Sequence, residues 1–137
     1  MDADQDVIAR TIWGEARSLG EQGMHAVANV IMNRVAKQSW YGKTPSEVCL
    51  KNSHGIYQFD CNDPKDPNYA KCKNVTADDA QFAIAIQIAE EAADGELDDI
   101  TNGSLNYYST IVPLPVWARG KTPALIIGNT VFFNTID

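Results

Sequence analysis

Apolar side chains recur at helical spacing in three long stretches of the chain. The first stretch, with a capping aspartate at Asp4 or Asp6, predicts a helix that runs towards Glu15. The second predicts a helix from about Glu21 to Lys37, and the third a helix that ends near residue 93. Their predicted core-facing residues are Met24, Val27, Ile31 and Val35 in the second helix and Phe82, Ala85, Ile88, Ala89 and Ala92 in the third.

Turn and capping signals divide the rest of the chain. Thr44 and Pro45 open a short helix to Leu50, because proline fits the first helical position, and a Thr76–Asp79 pattern opens the third long helix. Residues 51–73 are rich in Asn, Asp and Pro and predict an irregular loop, whose apolar island at 56–59 indicates a functional one.

Beyond Gly103 the apolar pattern changes from helical to β. Leu105–Ser109 and Leu125–Phe133 are rich in β-branched and aromatic residues and predict a short antiparallel pair. The sequence therefore predicts an α+β, mainly α, fold with a small antiparallel β element. Residues 1–137 read as a single domain, because no linker, repeat or low-complexity segment interrupts them.

Composition narrows the classes of partner. The formal charge of −7 argues against nucleic acid, since phosphate binding relies on clustered Lys and Arg. No apolar run approaches the roughly 20 residues that cross a bilayer, so no membrane insertion is expected. The acidic amino terminus lacks the features of a signal peptide, which predicts a protein first held in a cytoplasm. A monomer is the default expectation.

Glu15 is the candidate with the clearest chemistry. It follows Trp13 at the predicted end of the first helix, where an aromatic neighbour removes water from one side of the carboxyl group. Loss of water disfavours the charged form and raises the pKa, so the group can donate a proton near neutral pH. A solvated glutamate at a helix end is the structural alternative.

The segment from Ile12 to Val35 resembles the SleB/CwlJ-like cell wall hydrolases. It carries their aromatic-x-Glu-Ala-Arg element around Glu15, a glycine at Gly23 and an Ala-Val-Ala-x-Val-x-x-Asn-Arg-Val helix. Later matches follow in the family's order, so the resemblance covers nearly the whole chain. They are Gln58-Phe59, Thr101-Asn102-Gly103, Tyr107-Tyr108, Pro115-Val116-Trp117, Ile127-Gly128 and Phe132-Phe133.

This resemblance implies a lysozyme-like fold and cleavage of peptidoglycan between N-acetylmuramic acid and N-acetylglucosamine, without a cofactor. Glu15 would be the general acid, because a glycosidic oxygen is a poor leaving group until it is protonated. Sugar rings pack on aromatic faces and need polar partners at their edges. The substrate-binding candidates are Trp13, Tyr57, Gln58, Phe59, Tyr107, Tyr108 and Trp117. Tyr107 or Tyr108 could also orient the Glu15 carboxyl group by a hydrogen bond.

The bare catalytic domain without an export signal is typical of a phage endolysin, released from the host cytoplasm to the cell wall, or of a virion-associated lysin. A trimmed bacterial or spore-cortex enzyme is the alternative origin. With a net negative charge, attachment to an anionic wall would rest on aromatic faces and hydrogen bonds rather than on electrostatic attraction.

Three positions depart from the family pattern. Leu19 stands where family members often carry a second acidic residue, and Thr130 and Phe133 replace a closing histidine and tyrosine. A lone acid favours a lytic transglycosylase, in which the muramic acid 6-hydroxyl attacks and leaves a 1,6-anhydro end. Hydrolysis by water and a non-catalytic glycan-binding module are the alternatives. The second carboxylates considered, all read as loop or turn residues, are Glu21, Asp60 and Asp63.

The remaining polar candidates are given structural interpretations. Cys49, Cys61 and Cys72 lack a common metal spacing and are predicted to be reduced thiols, with a Cys61–Cys72 disulfide left open for an oxidising space. Nothing in the spacing pairs a cysteine with His54 as a nucleophile. Arg17, two residues after Glu15, would lower the carboxyl pKa if it pointed inward, so it must point away or pair with another group.

Overall fold

The structure, a computed structural model, describes residues 1–136. Its α-helices are α1 (Ala3–Ala16), α2 (Gly20–Lys37), α3 (Pro45–Leu50), α4 (Tyr69–Asn74) and α5 (Ala80–Ala93). Its β-strands are β1 (Asn52–Ser53), β2 (Ile56–Tyr57), β3 (Asn106–Ser109), β4 (Leu125–Ile127) and β5 (Thr130–Phe133). Short 3₁₀ turns occupy Arg17–Leu19, Asp60–Asn62 and Val116–Ala118.

The first helix begins earlier than the sequence pattern predicts. The Asp2 carboxylate accepts a hydrogen bond from the Gln5 backbone N–H at 2.9 Å, and the Gln5 side chain accepts one from the Asp2 backbone. This reciprocal capping box satisfies two of the unpaired donors at the helix end, so neither Asp4 nor Asp6 acts as the cap.

The amino-terminal cap of α5 also differs from the prediction. Asp79, not Thr76, is the capping residue, because its carboxylate accepts the Phe82 backbone N–H at 2.9 Å. Gly95 follows the helix with a φ of +75°, a left-handed conformation that glycine adopts without steric cost, as predicted.

The main core forms where α1 packs against α2 and α5. The predicted inward faces of α2 and α5 are confirmed, with Val35 partly buried and every other predicted position buried. Within residues 1–136, no helix is long and apolar enough to cross a membrane.

The loop predicted at residues 51–73 is more ordered than its composition indicates. It contains the β1–β2 hairpin, a 3₁₀ turn and α4. Buried Asn62 ties it to α1 and α3, since its amide donates to Thr11 Oγ1 and to the Cys49 carbonyl at 2.9 Å each. Arg10 of α1 donates to the Cys72 carbonyl at 2.7 Å. This segment is therefore ordered by polar contacts with residues far away in the chain. It lacks the local apolar periodicity from which helices are predicted.

The predicted β pair is a three-stranded antiparallel sheet in the order β3-β5-β4. The stretch Leu125–Phe133 is itself a hairpin, which turns at Gly128 with a φ of +55°. Alternate side chains point to opposite faces of a strand. Tyr107 and Phe132 therefore face the main core, whereas Tyr108, Val131 and Phe133 enclose a second small cluster with Ala118. The α+β, mainly α, architecture is thus confirmed.

Candidate active site

A cleft of about 300 Å³ separates the carboxyl end of α1 from the sheet. Glu15, in the last turn of α1, lies at its floor. The 3₁₀ turn after α1 contributes Leu19, the turn after Phe59 contributes Asp60, and the sheet contributes aromatic and polar side chains. The principal wall residues are Leu19, Asp60, Tyr107, Tyr108, Val112 and Thr130.

The Glu15 carboxyl group is held by Tyr107. The Tyr107 hydroxyl donates a hydrogen bond of 2.6 Å to Glu15 Oε1, across 92 positions of sequence. Burial, and then the neighbouring carboxylate, raise the pKa of Tyr107 well above its usual value, so the phenol keeps its proton and acts as the donor. A buried tyrosine that donates in one direction orients the carboxyl group towards the cleft.

Burial is the main influence on the pKa of Glu15 and raises it above the usual value of a glutamate. The hydrogen bond from Tyr107 and the polar groups of Cys61 act in the opposite direction, while the negative charge of Asp60 raises the pKa further. The sum of these effects is a carboxyl group that keeps its proton to a higher pH than an exposed glutamate.

Arg17 points away from the carboxyl group, as the sequence argument requires. Its guanidinium lies 4.1 Å from the Trp13 ring centroid and donates to Asn68 Oδ1 at 2.8 Å and to the Trp13 carbonyl at 3.2 Å. A cation stacked on an aromatic face and bonded to neutral oxygens has its partners away from Glu15. The positive charge nearest in sequence is therefore not among the main influences on the pKa of Glu15.

Two of the predicted sugar-binding residues are placed otherwise by the structure. Trp13 is 6% exposed, with its indole N–H donating to Asp79 Oδ1 at 3.2 Å and its ring edge-on to Phe82. Phe59 has no exposed surface and lies under the Arg34 guanidinium in the main core. Neither ring is available to a sugar, because both side chains are buried. Their predicted contact with substrate is therefore corrected to a structural role.

The other predicted aromatic residues divide between the cleft and its margin. Tyr107 and Tyr108 line the cleft. Trp117, 38% exposed, packs edge-on against Tyr108 with ring centroids 6.0 Å apart and so supports the cleft wall from outside. Tyr57, in β2, is half-buried, and Gln58, just after it, is exposed. Neither of them lines the cleft.

Asp60, considered as a second carboxylate but read as a loop residue, lines the same cleft as Glu15. It comes directly after the Gln58-Phe59 motif, the sequence signal that could have indicated this position. The other acids considered lie elsewhere: Glu21 borders a separate hollow beside His25, and Asp63 accepts the Lys65 backbone N–H at 2.9 Å.

The cysteines are free thiols buried around α1. The Cys61 and Cys72 sulfurs pack against Gly14, where an added Cβ would lie 2.6–2.7 Å from them. Burial raises the pKa of the Cys49 thiol to about 12, so this sulfur is no nucleophile near neutral pH. Within the described part of the chain, no group of three or more His, Cys, Asp and Glu side chains is placed to hold a metal ion.

A larger hollow, of about 460 Å³, lies between α3 and β1 and is open to solvent. Its acidic residue, Glu47, accepts the Lys43 backbone N–H at 3.0 Å and has no buried partner like Tyr107. Size alone therefore does not identify a site, and the buried carboxyl group bonded to Tyr107 makes the cleft at Glu15 the candidate.

Tyr107→Phe is expected to lower kcat about tenfold and to move the alkaline limb of the pH–rate profile to higher pH. The lost hydrogen bond is one of the interactions that lower the pKa of Glu15, so its removal raises that pKa. The rate of peptidoglycan solubilisation measured across pH checks this. Tyr41→Phe, which removes a hydroxyl 3.4 Å from Asn106 instead, should leave the limb in place. An unmoved limb in the Tyr107 variant would contradict the assigned hydrogen bond.

Comparison with known proteins identifies the family and the fold. The family model described as cell wall hydrolase matches residues 19–133, so its match begins four residues after Glu15. A search of the curated proteins returns no match.

Two solved structures share the fold. One is the catalytic domain of the germination-specific lytic transglycosylase SleB from Bacillus anthracis, with a TM-score of 0.65 and 23% identity over 97% of this chain and 95% of that one. The other is the catalytic domain of the Bacillus cereus SleB protein, with a TM-score of 0.63 and 23% identity over 95% and 88%. The family match covers most of the chain, and this protein is therefore an enzyme of the cell wall hydrolase family.

Proposed function

We propose that the protein cleaves the glycan strand of bacterial peptidoglycan between N-acetylmuramic acid and N-acetylglucosamine, with Glu15 as the general acid. The observation that supports this most directly is the Glu15 carboxyl group, which is hydrogen-bonded to Tyr107 at the floor of an open cleft and whose pKa is raised by burial. A protonated acid in that place supplies the proton that a departing glycosidic oxygen needs.

The reaction begins when Glu15 transfers its proton to the glycosidic oxygen. The bond between this oxygen and the anomeric carbon breaks, the N-acetylglucosamine side leaves as an alcohol, and the muramic acid ring becomes oxocarbenium-like. Glu15 is then a carboxylate that still accepts the hydrogen bond from Tyr107. The tyrosine thus stabilises the form of Glu15 that the first step produces.

In the second step we propose transglycosylation rather than attack by water. The 6-hydroxyl oxygen of the muramic acid bonds to the anomeric carbon, and its proton returns to Glu15, which closes a 1,6-anhydro ring. One group serves first as acid and then as base, so the enzyme is regenerated. The catalytic domain of SleB from Bacillus anthracis, which shares this fold, is described as a lytic transglycosylase.

Hydrolysis by water is the second candidate, and Asp60 is the observation that favours it. A hydrolase pairs its acid with a second carboxylate that activates water or attacks the sugar. Asp60 places such a group in the cleft wall. The two routes leave different ends on the muramic acid, so the product decides between them.

Substrate contact is proposed for the surfaces that remain exposed in the cleft. Tyr108, supported by Trp117, offers an aromatic wall, and Leu19 and Val112 offer apolar surface for the C–H faces of a sugar. Ser109 and Thr130 add hydroxyl groups for the ring edges. This mixture of apolar and neutral polar groups suits a glycan and explains binding without a basic patch.

Mass spectrometry of the fragments released from purified peptidoglycan tests the route. We expect muramic acid ends that are 18 Da lighter than reducing ends, because forming the internal ether excludes a molecule of water. Borohydride reduction is the control, since it adds hydrogen to reducing ends only. Fragments that are fully reducible would replace transglycosylation by hydrolysis, with Glu15 keeping its role.

A further inference from the structure

The cleft contains two carboxyl groups in unlike surroundings. Glu15 is partly buried beneath Tyr107, whereas Asp60 is exposed at the wall. Leu19 lines the same wall and brings no charge. Of the residues that line this cleft, Asp60 is therefore the acidic one other than Glu15.

The position of Asp60 is fixed by its neighbours in the chain. Phe59 before it and Cys61 and Asn62 after it are all buried, and the backbone forms a 3₁₀ turn over Asp60–Asn62. With the adjoining side chains held in the core, the Asp60 side chain is directed outward to the cleft. The carboxylate thus stands on a rigid support rather than on a mobile loop.

We infer that Asp60 is a positioning residue for the proposed reaction: its negative charge keeps the proton on Glu15 and stabilises the cationic sugar that forms when the proton is transferred. The inference rests on the proposed role of Glu15 as the acid. It assigns no proton transfer to Asp60, which acts through its charge alone.

The groups around Glu15 show why one added charge matters. Tyr107 of β3 and Cys61 of the 3₁₀ turn lower the pKa of Glu15, and Asp60 is the neighbouring anion that raises it. The other titratable or charged groups that interact with the Glu15 carboxyl group are Cys49 of α3, Cys72 of α4 and Arg34 of α2. Without the charge of Asp60, burial alone would oppose the groups that lower the pKa of Glu15.

The two carboxyl groups are expected to ionise in order. Burial, and then Asp66 and Asp63, raise the pKa of Asp60, but its side chain is far more exposed to water than that of Glu15. Asp60 therefore loses its proton first, and its charge then opposes the ionisation of Glu15. Carboxyl pairs whose surroundings separate their pKa values provide one acid and one anion at the same pH.

Asp60→Asn tests the inference, because it removes the charge and keeps the size of the side chain. We expect kcat on purified peptidoglycan to fall about tenfold, since the charge is partly screened by water, and the alkaline limb of the profile to move to lower pH. The direction is opposite to that expected for Tyr107→Phe. NMR titration of the Glu15 carboxyl carbon without substrate should show a lowered pKa.

The matched control is Asp98→Asn, which removes the same charge from an exposed aspartate outside the cleft. It should leave kcat, the alkaline limb and the Glu15 titration unchanged. Asp60→Glu restores the charge and should recover part of the rate and of the limb position.

Two results would overturn the inference. If Asp60→Asn lowers the rate but changes neither the alkaline limb of the pH–rate profile nor the titration of Glu15, Asp60 is only structural. Reducing ends that the natural protein releases and that Asp60→Asn no longer releases would mean that Asp60 activates water. Both differ from failure of the proposed function itself, which would show as full activity of Glu15→Gln.

Discussion

Glu15→Gln is expected to lower the rate of turbidity loss of purified peptidoglycan by about 10²- to 10⁴-fold, the usual contribution of a general acid. The amide has no proton acidic enough to transfer to a glycosidic oxygen. Its oxygen can still accept the hydrogen bond from Tyr107, and its size matches the carboxyl group. The variant therefore removes the proton and little else.

Stability against pH separates a chemical effect from a folding effect. The pKa of Glu15 is raised in the folded protein, so the folded state binds more protons than the unfolded one between the two pKa values. The free energy of unfolding of the natural protein therefore falls as pH rises through the ordinary glutamate pKa towards the folded one. In Glu15→Gln this contribution disappears, and the variant should be at least as stable at neutral pH.

Glu21→Gln provides the matched control for activity. Glu21 lies in the first turn of α2 and outside the cleft, so its substitution should leave the rate unchanged. Equal activity of Glu15→Gln and the natural protein would remove Glu15 from the mechanism. Inactivity of the natural protein on the same substrate would favour a glycan-binding module.

Gly14→Ala is the second change for which we expect a large effect. Glycine inside a helix normally costs about 1 kcal/mol relative to alanine, so glycine-to-alanine at an uncrowded helical position would stabilise a protein. At position 14 the new Cβ would lie 2.6 Å from Cys61 Cβ and 2.6 Å from Cys72 Sγ. Overpacking of this kind costs about 1–3 kcal/mol, and the displaced Cys61 adjoins Glu15. We therefore expect lower stability together with lower activity.

Urea denaturation of Gly14→Ala, Cys72→Ala and the double variant checks this expectation. Removing the Cys72 sulfur relieves one of the three close contacts, so the double variant should lose less than the sum of the single losses. A strictly additive result, or a Gly14→Ala variant as stable as the natural protein, would contradict the expectation. It would show that α1 can move away from Cys61 and Cys72 without loss of stability.

The long helices could be predicted from the sequence because their information is local. In α2 and α5 the apolar period, the residues facing the core and the glycine after α5 all agreed with the structure. The cap of α5 was predicted at Thr76 but is Asp79, because the apolar pattern does not distinguish between two nearby polar residues. Caps depend on the detailed path of the chain, which periodicity does not encode.

The segment 51–73 could not be predicted in the same way. Its order comes from contacts such as Asn62 with Thr11 and the Arg10 side chain with the Cys72 carbonyl, which join residues far apart in the chain. Trp13 and Phe59 show the same limit. From a motif alone, an aromatic residue can equally well be a sugar-binding side chain or a core side chain. Contacts of Trp13 with Phe82 and of Phe59 with Arg34 show that both belong to the core.

The amino-acid sequence alone determined the family, the helical framework and Glu15 as the candidate acid, because spacing and motif order are properties of the chain itself. Only the tertiary structure decided which groups surround that acid. Tyr107 contacts Glu15 from 92 positions away in the chain, and Asp60 lies in the wall of the same cleft. The spacing of residues along the sequence predicts neither of these positions. A carboxyl pKa depends on burial and on charges within a few ångströms, and these exist only once the chain has folded.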